Sequence, residues 1–158
     1  MRFTPENKTA FDRLVSRYPV KRSALLPALH LVQDQEGYIS SEAIEYLAGL
    51  LQLTPAQVHD TATFYTMYRF RPEGRRHIEV CTNISCALVG AQQVLEAFQD
   101  ELGIHAGETS DDGEVTLRTI ECAGGCGWGT VVALNHRYRE RVTAADVPAI
   151  VEEIRRGG

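Results

Sequence analysis

Two stretches decide the fold: His77-Ile78-Glu79-Val80-Cys81-Thr82-Asn83-Ile84-Ser85-Cys86 and Ile120-Glu121-Cys122-Ala123-Gly124-Gly125-Cys126-Gly127-Trp128-Gly129. Each runs from a short apolar strand straight into a cysteine. The first strand is His77-Ile78-Glu79-Val80, and the second is marked by Val115 and Leu117 and leads into Glu121-Cys122. Between them Ala91, Val94, Leu95, Phe98 and Leu102 recur at helical spacing, and Gly103 supplies the stop. A strand, a helix and a second strand allow the two strands to lie parallel, because the helix provides the crossover. Parallel neighbours end at the same edge of a sheet, so both cysteine loops are expected there. Downstream, Val131-Val132-Ala133-Leu134 reads as a third strand, and Tyr138 to Val142 as its hairpin partner. Val147, Ile150, Val151 and Ile154 then give one face of a closing helix. The second half is therefore an α/β layer.

Upstream the rhythm is helical. Phe11, Leu14 and Val15 form a first amphipathic turn. In the run from Arg22 to Gly37, Leu25, Leu29 and Val32 share a face, and Gly37 suits a left-handed C-terminal cap. Pro27 either opens this helix or kinks it. Ser40 caps a third helix striped by Ile44, Leu47, Ala48 and Leu51. Thr54-Pro55-Ala56-Gln57 is a capping box with proline at the first helical position. Pro72, Glu73 and Gly74 end the pattern, which divides the chain into a helical domain, 1–73, and an α/β domain, 74–158. The class is α+β.

With 158 residues, 44% of them hydrophobic, the chain can build a core without a covalent staple. Sixteen basic against twenty-one acidic residues give a formal charge of −5. That balance disfavours sequence-independent nucleic-acid binding, which needs a basic face. No apolar run reaches membrane-spanning length. The opening MRFTPENKTAF contains no apolar leader, so a cytoplasmic location is expected.

The four cysteines, Cys81, Cys86, Cys122 and Cys126, form a C-x4-C and a C-x3-C pair separated by 35 residues. In a reducing compartment such pairs serve metal or redox chemistry more often than disulfides. Spacing alone leaves three readings open: a [2Fe-2S] cluster on four thiolates, a structural zinc site, or free and disulfide-linked thiols. The C-x2-C knuckle usual for zinc is absent, as is the short three-cysteine run of four-iron clusters and the C-x-x-C of thiol reductases. Gly124, Gly125, Gly127 and Gly129 crowd the second loop, where their backbone N–H groups can approach sulfur closely. Asn83 and Ser85 are candidates for the same role in the first loop. Cys86 reads as lying just before a helix, where the N-terminal dipole favours a thiolate.

The stretch from Leu25 through ATFYTMY, followed by VCTNISC and ECAGGCGWG, resembles the NuoE family, the thioredoxin-like [2Fe-2S] subunits of NADH:quinone oxidoreductase. The resemblance covers about Leu25 to Arg155. It implies a thioredoxin-like second domain with Cys81, Cys86, Cys122 and Cys126 as ligands of a [2Fe-2S] cluster. It further implies a one-electron carrier docked on a flavoprotein subunit that holds FMN and the NADH site, beside a larger iron–sulfur subunit, peripheral to the inner face of a membrane. The same type of subunit serves NAD-linked hydrogenases and formate dehydrogenases. Outside the family reading, the rival is a zinc-stabilised binding module. The chain departs from the family's usual pattern in two places. Gly129-Thr130 replaces a common Ala-Pro pair, and His136-Arg137 replaces acidic residues.

No Walker loop, nucleophile elbow or strand-to-helix G-x-G-x-x-G is present, so neither NADH nor FMN has a recognisable motif here. Phe64, Tyr65, Met67, Tyr68 and Phe70 are expected to be a packing cluster, part of it turned to a partner. His30 and His59 read as ordinary helix histidines, and Asp111-Asp112 and Glu152-Glu153 as solvated charges.

Overall fold

Thr54 shows how local chemistry sets the helical half. Its hydroxyl accepts from the Gln57 N–H at 3.2 Å, while the Gln57 side chain accepts from the Thr54 N–H at 2.9 Å. With Pro55 at the first helical position, this reciprocal box starts α4, Pro55–Phe64. Thr54→Ala is expected to cost about 1 kcal/mol, read as a lower midpoint of the helical thermal transition.

The structure is a computed structural model and describes residues 1–135 and 137–156. His136, noted above for its charge, lies outside them. The chain packs as two compact units, Met1–Pro72 and Glu73–Gly158. The first contains α1 (Pro5–Val15), α2 (Leu25–Glu36), α3 (Ser41–Leu51) and α4. Pro27 stands in the first turn of α2, where it opens the helix rather than kinking it. Gly37 closes α2 at φ 83°, and Ser40 caps α3 through the Ala43 N–H at 3.2 Å. Leu25, Leu29 and Val32 meet Ile44, Leu47 and Leu51 and, with Val58 and Ala62, form one continuous core.

The aromatic group of this unit divides. Tyr68 is only 4% exposed and donates its hydroxyl to the Leu26 carbonyl at 2.8 Å, whereas Phe64 is 78% exposed. Met67 and Phe70 are exposed too, so much of the expected packing cluster faces outward. Burial first, then the charge of Tyr65, pushes the Tyr68 pKa up to about 12 from 10.0. A raised folded pKa means a stability contribution present below about pH 10 and lost as the pH climbs toward about 12. Alkaline unfolding followed by helical circular dichroism should show that loss, and Tyr68→Phe should remove this part of the pH dependence.

The second unit contains β1 (Arg76–Cys81), α5 (Ile84–Ala87), α6 (Ala91–Leu102), β2 (Val115–Ile120), β3 (Val132–Leu134), β4 (Arg137–Arg139) and α7 (Val147–Arg156). The sheet order is β2-β1-β3-β4. β1 and β2 are parallel, with Cys81 opposite Ile120, and β3 and β4 run antiparallel. The α6 crossover between β1 and β2 makes the parallel pair possible. Ile78, Val80, Leu117 and Val132 from the strands meet Val94 and Phe98 from α6 and Val147, Ile150, Val151 and Ile154 from α7. The closing helix therefore buries the face its periodicity marked. The final strand starts at Arg137 and ends at Arg139, sooner than the Tyr138–Val142 expected, because Arg141 takes a left-handed φ of 54° and breaks the regular ladder before Val142 donates to the Thr130 carbonyl at 3.0 Å.

Gly74 joins the second unit with no room for a side chain. A Cβ there would lie 2.8 Å from two backbone atoms of Val115, and its N–H donates to the Thr116 hydroxyl at 2.7 Å. Close backbone approach explains this glycine.

Candidate metal centre

Cys81 is the last residue of β1, and Cys122 lies two residues beyond the end of β2. Since Cys81 and Ile120 are opposite in a parallel ladder, both loops leave the sheet at one edge, as the spacing of strand and helix required. Cys86 is not before a helix but the third residue of the four-residue α5, and the longer α6 begins only at Ala91. The dipole argument for Cys86 falls with that, because so short a turn sums few peptide dipoles.

The four sulfurs form two unlike pairs, none in a disulfide. Cys81 and Cys86 are each 2% exposed and pack with Ala91 and Val131 in a small apolar cluster flanked by Ile120 and Ala123. Cys122 and Cys126 are exposed. Burial raises the Cys81 pKa, but hydrogen bonds from the Ala123 and Asn83 backbone and from the Cys86 and Cys122 thiols overcome it and hold the group below the usual thiol range. Burial pushes Cys86 up, against a backbone bond from Val131, and Cys81 beside it adds to the rise. The Gly124 N–H donates to the Cys122 sulfur at 3.3 Å.

The glycine-rich loop is expected to supply N–H donors, and Gly124 is one. Two others, Ala123 and Val131, escape a reading of the sequence. A backbone donor carries no signature in its own side chain. Only the position of Ala123 directly after Cys122 could mark it. The glycines instead provide space. A Cβ on Gly125 would stand 2.8 Å from Val131 Cγ2, and one on Gly129 would stand 2.8 Å from Val89 Cγ2 and 3.4 Å from the Cys86 sulfur. Val131 is buried and its carbonyl accepts the Cys81 N–H at 3.0 Å, so it cannot yield without moving both buried cysteines. Val89 is 59% exposed and can yield. Gly125→Ala is accordingly expected to cost about 1–3 kcal/mol and to lower bound iron per chain, while Gly129→Ala costs less. Thermal unfolding and an iron assay on the two variants check this ordering.

The donor set suits an iron–sulfur group. Thiolates are soft ligands, two pairs match two iron atoms, and N–H groups already face the sulfurs. Among the described residues, no three His, Cys, Asp or Glu side chains gather closely enough to hold a single ion. Around the thiols lies an apolar rim: Ile84, Leu88, Val89 and Trp128 are all exposed. Sequence reasoning passes over the first three of these, although the Leu88-Val89 pair directly before Gly90 is a visible signal.

The family model described as thioredoxin-like [2Fe-2S] ferredoxin matches residues 11–155. The chain belongs to this family. The ferredoxin is 40% identical over 142 residues to the NADH-quinone oxidoreductase E subunit of Mycobacterium bovis, covering 90% of this chain but only 56% of that protein. The match thus spans little more than half the length of that relative. It is 36% identical to NADH-quinone oxidoreductase subunit 2 of Thermus thermophilus, covering 99% of this chain and 88% of that one. These relatives bear out the expected kinship with the NuoE family. A solved NAD+-reducing [NiFe]-hydrogenase shares the fold with a TM-score of 0.73 at 23% identity, over 84% of this ferredoxin and 23% of that chain. Among the described residues, no helix is long and apolar enough to cross a membrane.

Proposed function

We propose that this ferredoxin is a one-electron carrier subunit in the NADH dehydrogenase module of an NADH:quinone oxidoreductase. Cys81, Cys86, Cys122 and Cys126 hold a [2Fe-2S] cluster in this reading. A flavoprotein subunit provides FMN and the NADH site, and a larger iron–sulfur subunit completes the module at the cytoplasmic face of a membrane. The observation that carries the reading is the convergence of two cysteine loops at one sheet edge, one pair buried and one exposed. Kinship with NADH-quinone oxidoreductase subunits at 36% and 40% identity supports the assembly.

A bound cluster of this type stores one electron reversibly. The chain's own residues do the rest. Four thiolates would hold the cluster and leave it with a net negative charge, which the N–H groups of Asn83, Ala123, Gly124 and Val131 would stabilise further on reduction, shifting the potential upward. Burial of Cys81 and Cys86 keeps water from one side. The exposed pair and its apolar rim present the other side to a partner surface.

Anaerobic purification followed by visible absorption, EPR, and iron and sulfide assays tests the proposal. Expected is a brown protein with about two irons and two sulfides per chain, EPR-silent until reduced by one electron. A colourless protein that holds stoichiometric zinc and rejects cluster reconstitution would sink it. Co-purification with a flavoprotein from the native host tests the assembly.

A further inference from the structure

At the opposite end of β1, five residues and about 16 Å from Cys81, lies a cleft of about 510 Å³ that the redox reading does not use. Arg76 opens β1 on one side, Asn135 and β4 form another wall, and Glu153 on α7 forms the third. The unit from Glu73 onward carries eight basic and fourteen acidic residues, a formal −6, yet this cleft is basic. Arg76, Arg137 and Arg139 face one carboxylate, Glu153. Glu153 is engaged by Arg139. Among the described residues, neither Arg76 nor Arg137 forms a salt bridge. The Asn135 side-chain oxygen is occupied by the His77 N–H at 2.8 Å, which fixes the amide and leaves its NH2 to donate. The cleft therefore offers two unpaired guanidinium forks and an amide donor, the chemistry that recognises carboxylates.

We infer that this cleft receives the carboxylate side chains of an acidic polypeptide segment that lies along β4. A polypeptide fits better than a free anion because β4 is an edge strand of the sheet, with Arg137, Tyr138 and Arg139 all exposed and no strand beyond it among the described residues. An extended acidic segment could add main-chain bonds to that edge while its side chains reach Arg76 and Arg137. The inference stands apart from the cluster and its ligands, and holds whether or not those carry electrons.

The test titrates a hexaglutamate peptide into the full-length protein at low salt, with calorimetry and backbone NMR shifts as readouts. Expected is saturable one-to-one binding, shifts centred on residues 137–139, and weakening with added salt. Arg137→Glu should weaken binding at least tenfold, as should the milder Arg76→Gln, with helical content unchanged. Lys21→Glu makes the same charge change as Arg137→Glu on the other unit and should leave binding within twofold. Three results would overturn the inference: no saturable binding, an equal loss in Lys21→Glu, or complete displacement of the peptide by inorganic phosphate at matched charge concentration. The last would make the cleft a site for small oxyanions.

Discussion

Cys81→Ala should yield a protein with background iron and sulfide and none of the brown colour, while its N-terminal helices remain folded. The physical reason lies in where Cys81 sits. It ends the inner strand β1, is 2% exposed, and takes hydrogen bonds from the Ala123 and Asn83 backbone that lower its pKa despite burial. A thiolate prepared by two fixed donors cannot be replaced by another group, because burial admits no outside ligand. Loss of one of the four proposed ligands, with a small apolar void in its place, is expected to reduce cluster occupancy more than tenfold. Cys122→Ser should be milder. That position is exposed, the new hydroxyl can still offer oxygen to iron, and a destabilised cluster rather than a missing one is expected. Iron and sulfide assays with visible spectra decide both. A full complement in Cys81→Ala would remove it from the ligand set. The helices should survive because their core, built from Phe3 to Tyr68, includes no residue of the second unit.

The parallel β1–β2 pair was legible because Val80 and Val115 to Leu117 bracket a helix long enough to cross over, and that pair alone puts the cysteine loops together. Capping at Ser40, Thr54 and Gly37 was legible for a related reason. Caps are local chemistry, written within four residues. Harder to read were features set by tertiary placement. The position of Cys86 inside α5 depends on a single turn ending at Ala87, with Leu88, Val89 and Gly90 between it and the next helix. Exposure of Phe64 depends on which way α4 rolls against α3, and its neighbours Tyr65 and Tyr68 have the same composition signal yet turn inward. The difference in burial between the two cysteine pairs was hidden too. Both pairs follow strands, but Cys81 lies within the ladder and Cys122 beyond it. The basic cleft was invisible for the same reason, since Arg76 and Arg137 are separated by sixty residues and meet only because β3 inserts between β1 and β4.

Phe98→Ala should lower the stability of the second unit by about 3–5 kcal/mol, a large share of the roughly 5–15 kcal/mol that holds an ordinary domain. Phe98 is fully buried on α6 and shares one core with Ile78 and Leu117 from the strands and Val147 and Val151 from α7. Removing its ring leaves a cavity that neighbours such as the β-branched Ile78, Val147 and Val151, stiff at χ1, cannot fill. Leu47→Ala in α3 should cost the first unit about 2–5 kcal/mol by the same mechanism, because Leu47 is equally buried in a separate core. We propose that residues 1–73 and 74–158 are domains that fold independently, and the paired variants test it. Trp128, the only tryptophan, lies in the second unit, so its fluorescence follows that unit, while helical circular dichroism is weighted toward the first. Phe98→Ala should move the fluorescence midpoint by many degrees and leave most of the helical transition in place. Leu47→Ala should do the reverse. If either substitution shifted both signals equally, the chain would unfold as one cooperative body, and the separate cores would have to be coupled more strongly than their residue lists require.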